Sequence, residues 1–286
     1  MPWGSGNAPD DPPVSAGGEV RPVLPQATEL RCRFDLLAVG NAAAQAERMR
    51  SPEGKALLAD LCDALESGSL RIVQAEGPGR WRAQGWIKRA LVQLSGAGAL
   101  QPQPGSLPGT ELDSLGWRED RPLGCRVPAG SFLRRSTYLA PGAGVMPPST
   151  LQAGAAVLEG AMIDSHVLLG AAVLVGRGAV VGCGSMLAGA LMPEEALSIV
   201  LERGVVVGGN CGLYGPMVVG ESASIYAGTV LRAAAGAFHL GRQAWLVPDT
   251  SGTLRLPAGC SVFMGVPPVS AFSDGVQRLS AMVAEG

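Results

Sequence analysis

The dominant pattern in the chain is an aliphatic residue at every sixth position. It begins at Val127 and runs without a miss through Leu133, Leu139, Val145, Leu151 and Val157 to Ile163, Leu169, Val175, Val181 and Leu187. Val, Leu and Ile together are about 23% of the chain, so such a run has a chance probability of roughly 10⁻⁷. The phase resumes, displaced by two residues, at Val207, Leu213, Val219, Ile225 and Leu231. Met192-Pro193-Glu194-Glu195 therefore marks a small insertion within one coil. A late echo at Leu256 and Val262 predicts a final partial coil after an excursion through Phe238 to Gly252.

Each hexad also carries a small or β-branched residue at position five, as in Leu169-Gly170-Ala171-Ala172-Val173-Leu174. Positions one and five pointing inward, with Gly where the chain bends, describe a short flat strand followed by a corner. Three such strands per coil make a triangular prism, with coils stacked at the roughly 4.8 Å spacing of strands in a sheet. Ala171, Leu174 and Val180 make the outer faces apolar as well, so the prism is expected to self-associate.

Upstream the period is helical. Leu57, Leu58, Leu61 and Leu65 share one helix face, which Ser67-Gly68-Ser69 ends. A strand over 70–73, a turn at Gly77-Pro78-Gly79 and a second helix over 84–94 follow. The expected organisation is a Pro/Gly/Ala-rich flexible tail (1–28), an α-rich domain and linker (29–109), coils (110–265) and a C-terminal cap (266–286). Helical composition within the second region starts near Asn41.

Composition fits this picture. The 286 residues include 41 Gly and 22 Pro, whereas aromatic residues are 5% and charged residues 16%. A core without rings suits a ladder of small aliphatics. The formal net charge of -2 provides no basic field for nucleic acid. No apolar run reaches the roughly 20 residues of a membrane span, and Met1-Pro2-Trp3-Gly4-Ser5-Gly6 does not open a secretory signal. A cytoplasmic protein is expected. The six cysteines lack CxxC spacing, and only His166 and His239 could join them as soft ligands. No metal is expected, and reduced, mostly buried thiols are.

The phased hexads resemble the left-handed parallel β-helix of the hexapeptide-repeat acyltransferases. Longer stretches narrow the resemblance: Gly79-Arg80-Trp81, Gly85-Trp86-Ile87-Lys88-Arg89-Ala90-Leu91, Arg126-Val127-Pro128-Ala129, Val145-Met146-Pro147, Gly160-Ala161-Met162-Ile163-Asp164, Val207-Gly208-Gly209 and Leu256-Pro257-Ala258-Gly259. Over roughly residues 55 to 270 these are similar to the tetrahydrodipicolinate N-succinyltransferase family. The resemblance implies a mainly β chain, a left-handed parallel β-helix with a small N-terminal α-rich domain and a short C-terminal cap. It also implies a homotrimer with sites between subunits. The reaction would be acyl transfer from succinyl-CoA, or a related coenzyme A thioester, to an amine of lysine and diaminopimelate biosynthesis.

By the same resemblance, Asp164 would hold and help deprotonate the acceptor amine, since only the neutral amine attacks a thioester. Its alternative role is to cap a corner turn. His166 stands where the family has an aromatic residue; it is either a solvated side chain or an imidazole base. Gly208, Gly209, Ala227 and Gly228 would line the pantetheine arm, Gly228 because a missing Cβ admits close approach. Arg232 and Arg242 are either partners of CoA phosphates or ordinary surface arginines. The sequence departs from the family at two positions on the acceptor side. Asn210 stands for a basic residue and Gly212 for a catalytic acid. Glu221 is the first candidate to replace that acid, ahead of Glu159, Glu194 and Glu195. Cys211 is either a nucleophile or, at position five, a core residue. Alternative functions are a recruited acyltransferase of specialised metabolism using His166, and a catalytically silent scaffold or regulatory homologue.

Overall fold

The computed structural model describes residues 25–96, 117–118, 122–233, 238–240, 244–246, 253–256, 258–259 and 261–262. The expected tail up to residue 24 and the C-terminal cap lie outside these residues, as does nearly all of the linker.

Four helices and a hairpin form the N-terminal part. Helix α1 (Pro25–Leu37) begins within the stretch that composition reads as tail. Its buried Leu30 and Phe34 are too few to give a visible period by themselves. Asn41 caps α2 (Ala42–Arg50), its side chain accepting from Ala44 N at 3.0 Å. Ser51 caps α3 (Pro52–Glu66), where proline opens the first turn. The α3 leucines at 57, 58, 61 and 65 are all buried, as their spacing predicts. Strands β1 (Val73–Gly77) and β2 (Arg80–Ala83) pair antiparallel around the Gly77-Pro78-Gly79 turn. The strand thus starts where the predicted one ends, because Leu70 and Ile72 are buried in the domain core rather than paired in a ladder. Helix α4 (Gly85–Gly96) completes the layer.

From Phe132 the chain forms the left-handed parallel β-helix of hexad coils, with three six-stranded parallel sheets. Face one contains Phe132–Leu133, Thr150–Leu151, Leu168–Leu169, Met186–Ala188, Gly212–Tyr214 and Val230–Arg232. Face two contains Tyr138–Leu139, Ala156–Val157, Leu174–Val175, Ile199–Leu201, Met217–Val219 and Leu254–Leu256. Face three contains Gly144–Val145, Met162–Ile163, Val180–Val181, Val206–Val207, Ser224–Ile225 and Ser261–Val262. The hexad residues from Val127 to Leu187 all lie in one interior cluster, with position-five residues such as Ala161, Val173 and Ala179 beside them. Emptying such a slot, for example by Ile163→Ala, costs about 2–5 kcal/mol.

The insertion is larger than the phase implies. The next hexad position after Leu187 is Leu201 on face two, fourteen positions on instead of six. Eight residues are inserted, and a displacement counted against a period of six shows them as two. The late echo at Leu256 and Val262 does form the last rungs, against Val219 and Ile225. The excursion before it contains a hairpin of Phe238–Leu240 with Ala244–Leu246.

The three outer faces have different fates. Ala156, Leu174, Val200 and Val218 on face two share a core with Leu57, Leu61, Trp86, Ile87 and Leu91 of the N-terminal part. Leu174, expected to be open for association, is thereby buried. Val180 and Val206 on face three, and Phe132, Met186 and Val230 on face one, stay exposed.

Candidate functional site

Corners between face three and face one stack along one edge of the prism. Residues 164–167, 182–185, 208–211 and 226–229 occupy successive coils there, in register through backbone hydrogen bonds. Gly184 N donates to Ser165 O at 3.0 Å, Asn210 N to Cys183 O at 2.7 Å, and Gly228 N to Gly209 O at 2.9 Å. At the strand spacing, Asp164 and Gly228 are about 14 Å apart along the edge.

Asp164 is half-buried. Its Oδ1 accepts from Ser165 N at 2.7 Å, so it does cap the corner. The other carboxylate oxygen takes no bond among the described residues. Ser149 Oγ fixes this corner by donating to Asp164 O at 2.8 Å and accepting from Val167 N at 3.1 Å. His166 is exposed, with φ of 60°. Ser136, Ala172 and Ser222 share that left-handed conformation on the other edges, so it belongs to the corner geometry.

One coil on, Cys183 is exposed. The Asn210 carboxamide lies against Gly184, because a Cβ there would run into Asn210 Oδ1. A Cβ at Gly208 would strike the Ala227 backbone nitrogen, and one at Gly209 would stand 3.2 Å from Cys183 O. These glycines let adjacent coils close up. Gly228 differs: with φ of 75°, it is exposed and has nothing within 4 Å of its missing Cβ. Ala227 beside it is also exposed. Together they leave a bare backbone ledge.

Cys211 points inward and is buried in the prism core. Its Sγ donates to Tyr226 O at 3.1 Å, and burial pushes the thiol pKa up, away from thiolate chemistry.

Gly212 lies beyond the corner, outward on face one. A side chain that the hexad pattern does not single out covers it: the Tyr214 ring would lie 2.7 Å from a Cβ at 212. Arg232, exposed on the next coil, places its guanidinium 5.2 Å from that ring's centroid. The signal was present in the sequence as outward positions two residues apart, but contact between them depends on rotamer.

Other candidates fall elsewhere. Glu221 is on the edge between faces two and three, paired with Arg203. Glu159 is on that same edge, 3.4 Å from Arg177. Glu194 is 3.8 Å from Arg89, and Glu195 lies against Gly85, both in the insertion. None of the four is on the Asp164 edge. His239 is in the Phe238–Leu240 strand, its side chain outside the described residues, as is Arg242. Among the described residues, no cluster of three His, Cys, Asp or Glu side chains could hold a metal ion, and no helix is long and apolar enough to cross a membrane.

Coils of this kind define the hexapeptide-repeat acyltransferases as a class, and relatives narrow it. The chain is similar to the 2,3,4,5-tetrahydropyridine-2,6-dicarboxylate N-succinyltransferase of Paramagnetospirillum magneticum, 30% identical over 226 residues, covering 74% of this chain and 76% of that protein. The enzyme of the same description from Methylorubrum extorquens is 29% identical over 223 residues, covering 74% and 75%. That of Parvibaculum lavamentivorans is 28% identical over 241 residues, covering 78% and 80%. No family model matches the chain. Serine acetyltransferase isoform 3 of Entamoeba histolytica aligns with a TM-score of 0.28 and 10% identity over 90% of this chain and 74% of that one; at that value the fold rests on the coils themselves. The chain is an acyltransferase. It belongs to the 2,3,4,5-tetrahydropyridine-2,6-dicarboxylate N-succinyltransferase family.

Proposed function

We propose that the chain is a CoA-dependent N-acyltransferase of the family's type, with an altered acceptor pocket, acting as a cytoplasmic homotrimer with its sites between subunits. The observation that carries this is the single edge on which Asp164, the Asn210 corner and the bare Ala227–Gly228 ledge are stacked, in a chain 30% identical to a named succinyltransferase. The open apolar faces one and three support association with further copies.

In this mechanism the free oxygen of Asp164 takes a proton from the acceptor ammonium. The neutral amine, which a cyclic imine acceptor provides once water has added across its C=N bond, attacks the thioester carbonyl; as the new C–N bond forms and the C–S bond breaks, the nitrogen loses one further proton, which the departing CoA thiolate takes up. The Ser165 amide holds the carboxylate in place, leaving one oxygen for the substrate. The ledge at Gly228 offers the pantetheine arm backbone contact without a side chain in the way. The altered part is the acceptor side, where Asn210 and Gly212 carry no ionisable group.

Thiol release from succinyl-CoA with 2,3,4,5-tetrahydropyridine-2,6-dicarboxylate, and with a panel of other amines and acyl-CoAs, tests the proposal. Acceptor-dependent release supports acyl transfer, and its rank order identifies the acceptor. Release at background with every pair refutes the proposal and favours a silent homologue. A second reading uses a different acceptor with His166 as base; the exposed imidazole two residues from Asp164 favours it.

A further inference from the structure

Outward positions on face one come in pairs, because side chains alternate across a strand. Residues 212 and 214 flank inward Leu213 on one coil, and 230 and 232 flank inward Leu231 on the next, with Tyr214 and Arg232 in direct register. Gly212 has no left-handed φ, so backbone conformation does not call for glycine. Room does. A Cβ at 212 would stand 2.7 Å from Tyr214 Cε2 and 3.3 Å from the hydroxyl oxygen. The first distance is inside van der Waals contact, so this ring position is open only to glycine at 212.

The ring in turn holds a cation. Arg232 lies over it with the guanidinium carbon 5.2 Å from its centroid, within cation–π range, which draws the guanidinium to this side of the face. Among the described residues no carboxylate pairs with Arg232, and no group bonds the Tyr214 hydroxyl. A fork of N–H donors over a ring whose O–H has no partner among the described residues is complementary to an oxyanion, which a guanidinium binds through two parallel hydrogen bonds.

We infer that Gly212, Tyr214 and Arg232 form an anion-recognition subsite on face one, holding an oxyanion of a reactant. The source is either a carboxylate of the acceptor or a phosphate of the acyl donor, and naming these two rests on the proposed acyl transfer. Gly212 then makes room for a ring that carries a new charge.

The test is calorimetric binding of two probes to the full chain, CoA and pyridine-2,6-dicarboxylate. Arg232→Gln weakens one probe about tenfold or more, as loss of charge-assisted hydrogen bonds does, and leaves the other within about twofold. Loss on CoA assigns a phosphate, and loss on the dicarboxylate assigns an acceptor carboxylate. Tyr214→Phe keeps the stack and gives a smaller loss on the same probe. Gly212→Ala pushes the ring aside and reproduces the Arg232→Gln loss, with an unchanged circular dichroism spectrum. Unchanged affinity for both probes in Arg232→Gln and Gly212→Ala overturns the subsite, whatever the turnover. Binding that depends on the pair, in a chain that releases no thiol from any acyl-CoA, leaves the subsite standing and overturns the proposed function. A chain that binds neither probe overturns the subsite.

Discussion

Lys88, on α4 of the N-terminal part, donates from Nζ to the Pro193 carbonyl in the coil insertion at 2.7 Å. The same ammonium donates to Ala196 O at 2.9 Å. The side chain is 1% exposed, and burial lowers its pKa from the usual 10.5. One buried charge therefore fastens the insertion to the helices that cover face two.

Lys88→Met leaves both carbonyls without their donor and is expected to destabilise the fold by about 1–3 kcal/mol, read from urea midpoints. Between the lowered folded pKa and 10.5 the folded state binds fewer protons than the unfolded one. Stability due to Lys88 therefore rises as pH climbs through that window and is lost as pH falls below it. The gap between the native chain and Lys88→Met should widen from neutral pH toward 10.5. A gap that narrows contradicts the lowering of the Lys88 pKa by burial.

Gly228 and Gly208 separate ligand contact from coil packing. Gly228→Ala meets no atom and bears only the left-handed penalty, about 1–2 kcal/mol. With the pantetheine arm on the ledge, its KM for acyl-CoA rises about tenfold, while the acceptor KM holds. Gly208→Ala presses on the Ala227 backbone and costs about 1–3 kcal/mol of stability by overpacking. Thermal melts and initial rates read both.

Asp164→Asn should lower kcat by about 10²–10⁴, the usual size of acid–base help. His166→Gly relieves a left-handed side-chain conformation and should raise stability by up to about 1 kcal/mol, with kcat retained. Loss of kcat in His166→Gly comparable to that in Asp164→Asn transfers the base role to the imidazole.

Thiol alkylation at pH 7, mapped by peptide mass spectrometry, should label exposed Cys183 and spare Cys211. Cys211 is packed inward with its pKa raised by burial, and Cys211→Ala should keep turnover while costing about 1 kcal/mol of stability. Rapid native-state labelling at Cys211 contradicts the core assignment.

Glu221→Gln removes a surface charge already spent on Arg203. Stability should change by less than about 1 kcal/mol, and kcat should stay within about twofold. A hundredfold fall would return Glu221 to the reaction, with its edge facing another subunit.

Periodicity made the prism legible because a coil has no freedom at its inward positions. Every sixth side chain enters the same narrow core, and Val127 through Leu187 show it directly. The core reading of Cys211 came from the same spacing, since position five holds small buried side chains such as Ala161, Val173 and Ala179. Helix α1 was not, because two buried residues in thirteen leave no period. The insertion was half legible: a period of six records its length only to within whole hexads. Glu221 looked available as an outward carboxylate, and only its neighbour Arg203, eighteen residues away, shows where its charge goes.

The sequence by itself determined the coil and its inward ladder, since these follow from spacing along one chain. It also placed Asp164, Asn210 and Gly228 at corners, though neither on which edge those after the insertion fall nor how far each side chain is engaged. Tertiary structure decided which outer face the helical domain covers, which glutamates are paired with arginine, and what lies over Gly212. Those outcomes depend on side chains from different coils and domains meeting in space. The Tyr214 ring over Gly212, with the Arg232 guanidinium over it, is set by rotamer and coil-to-coil register, and no spacing rule records that contact.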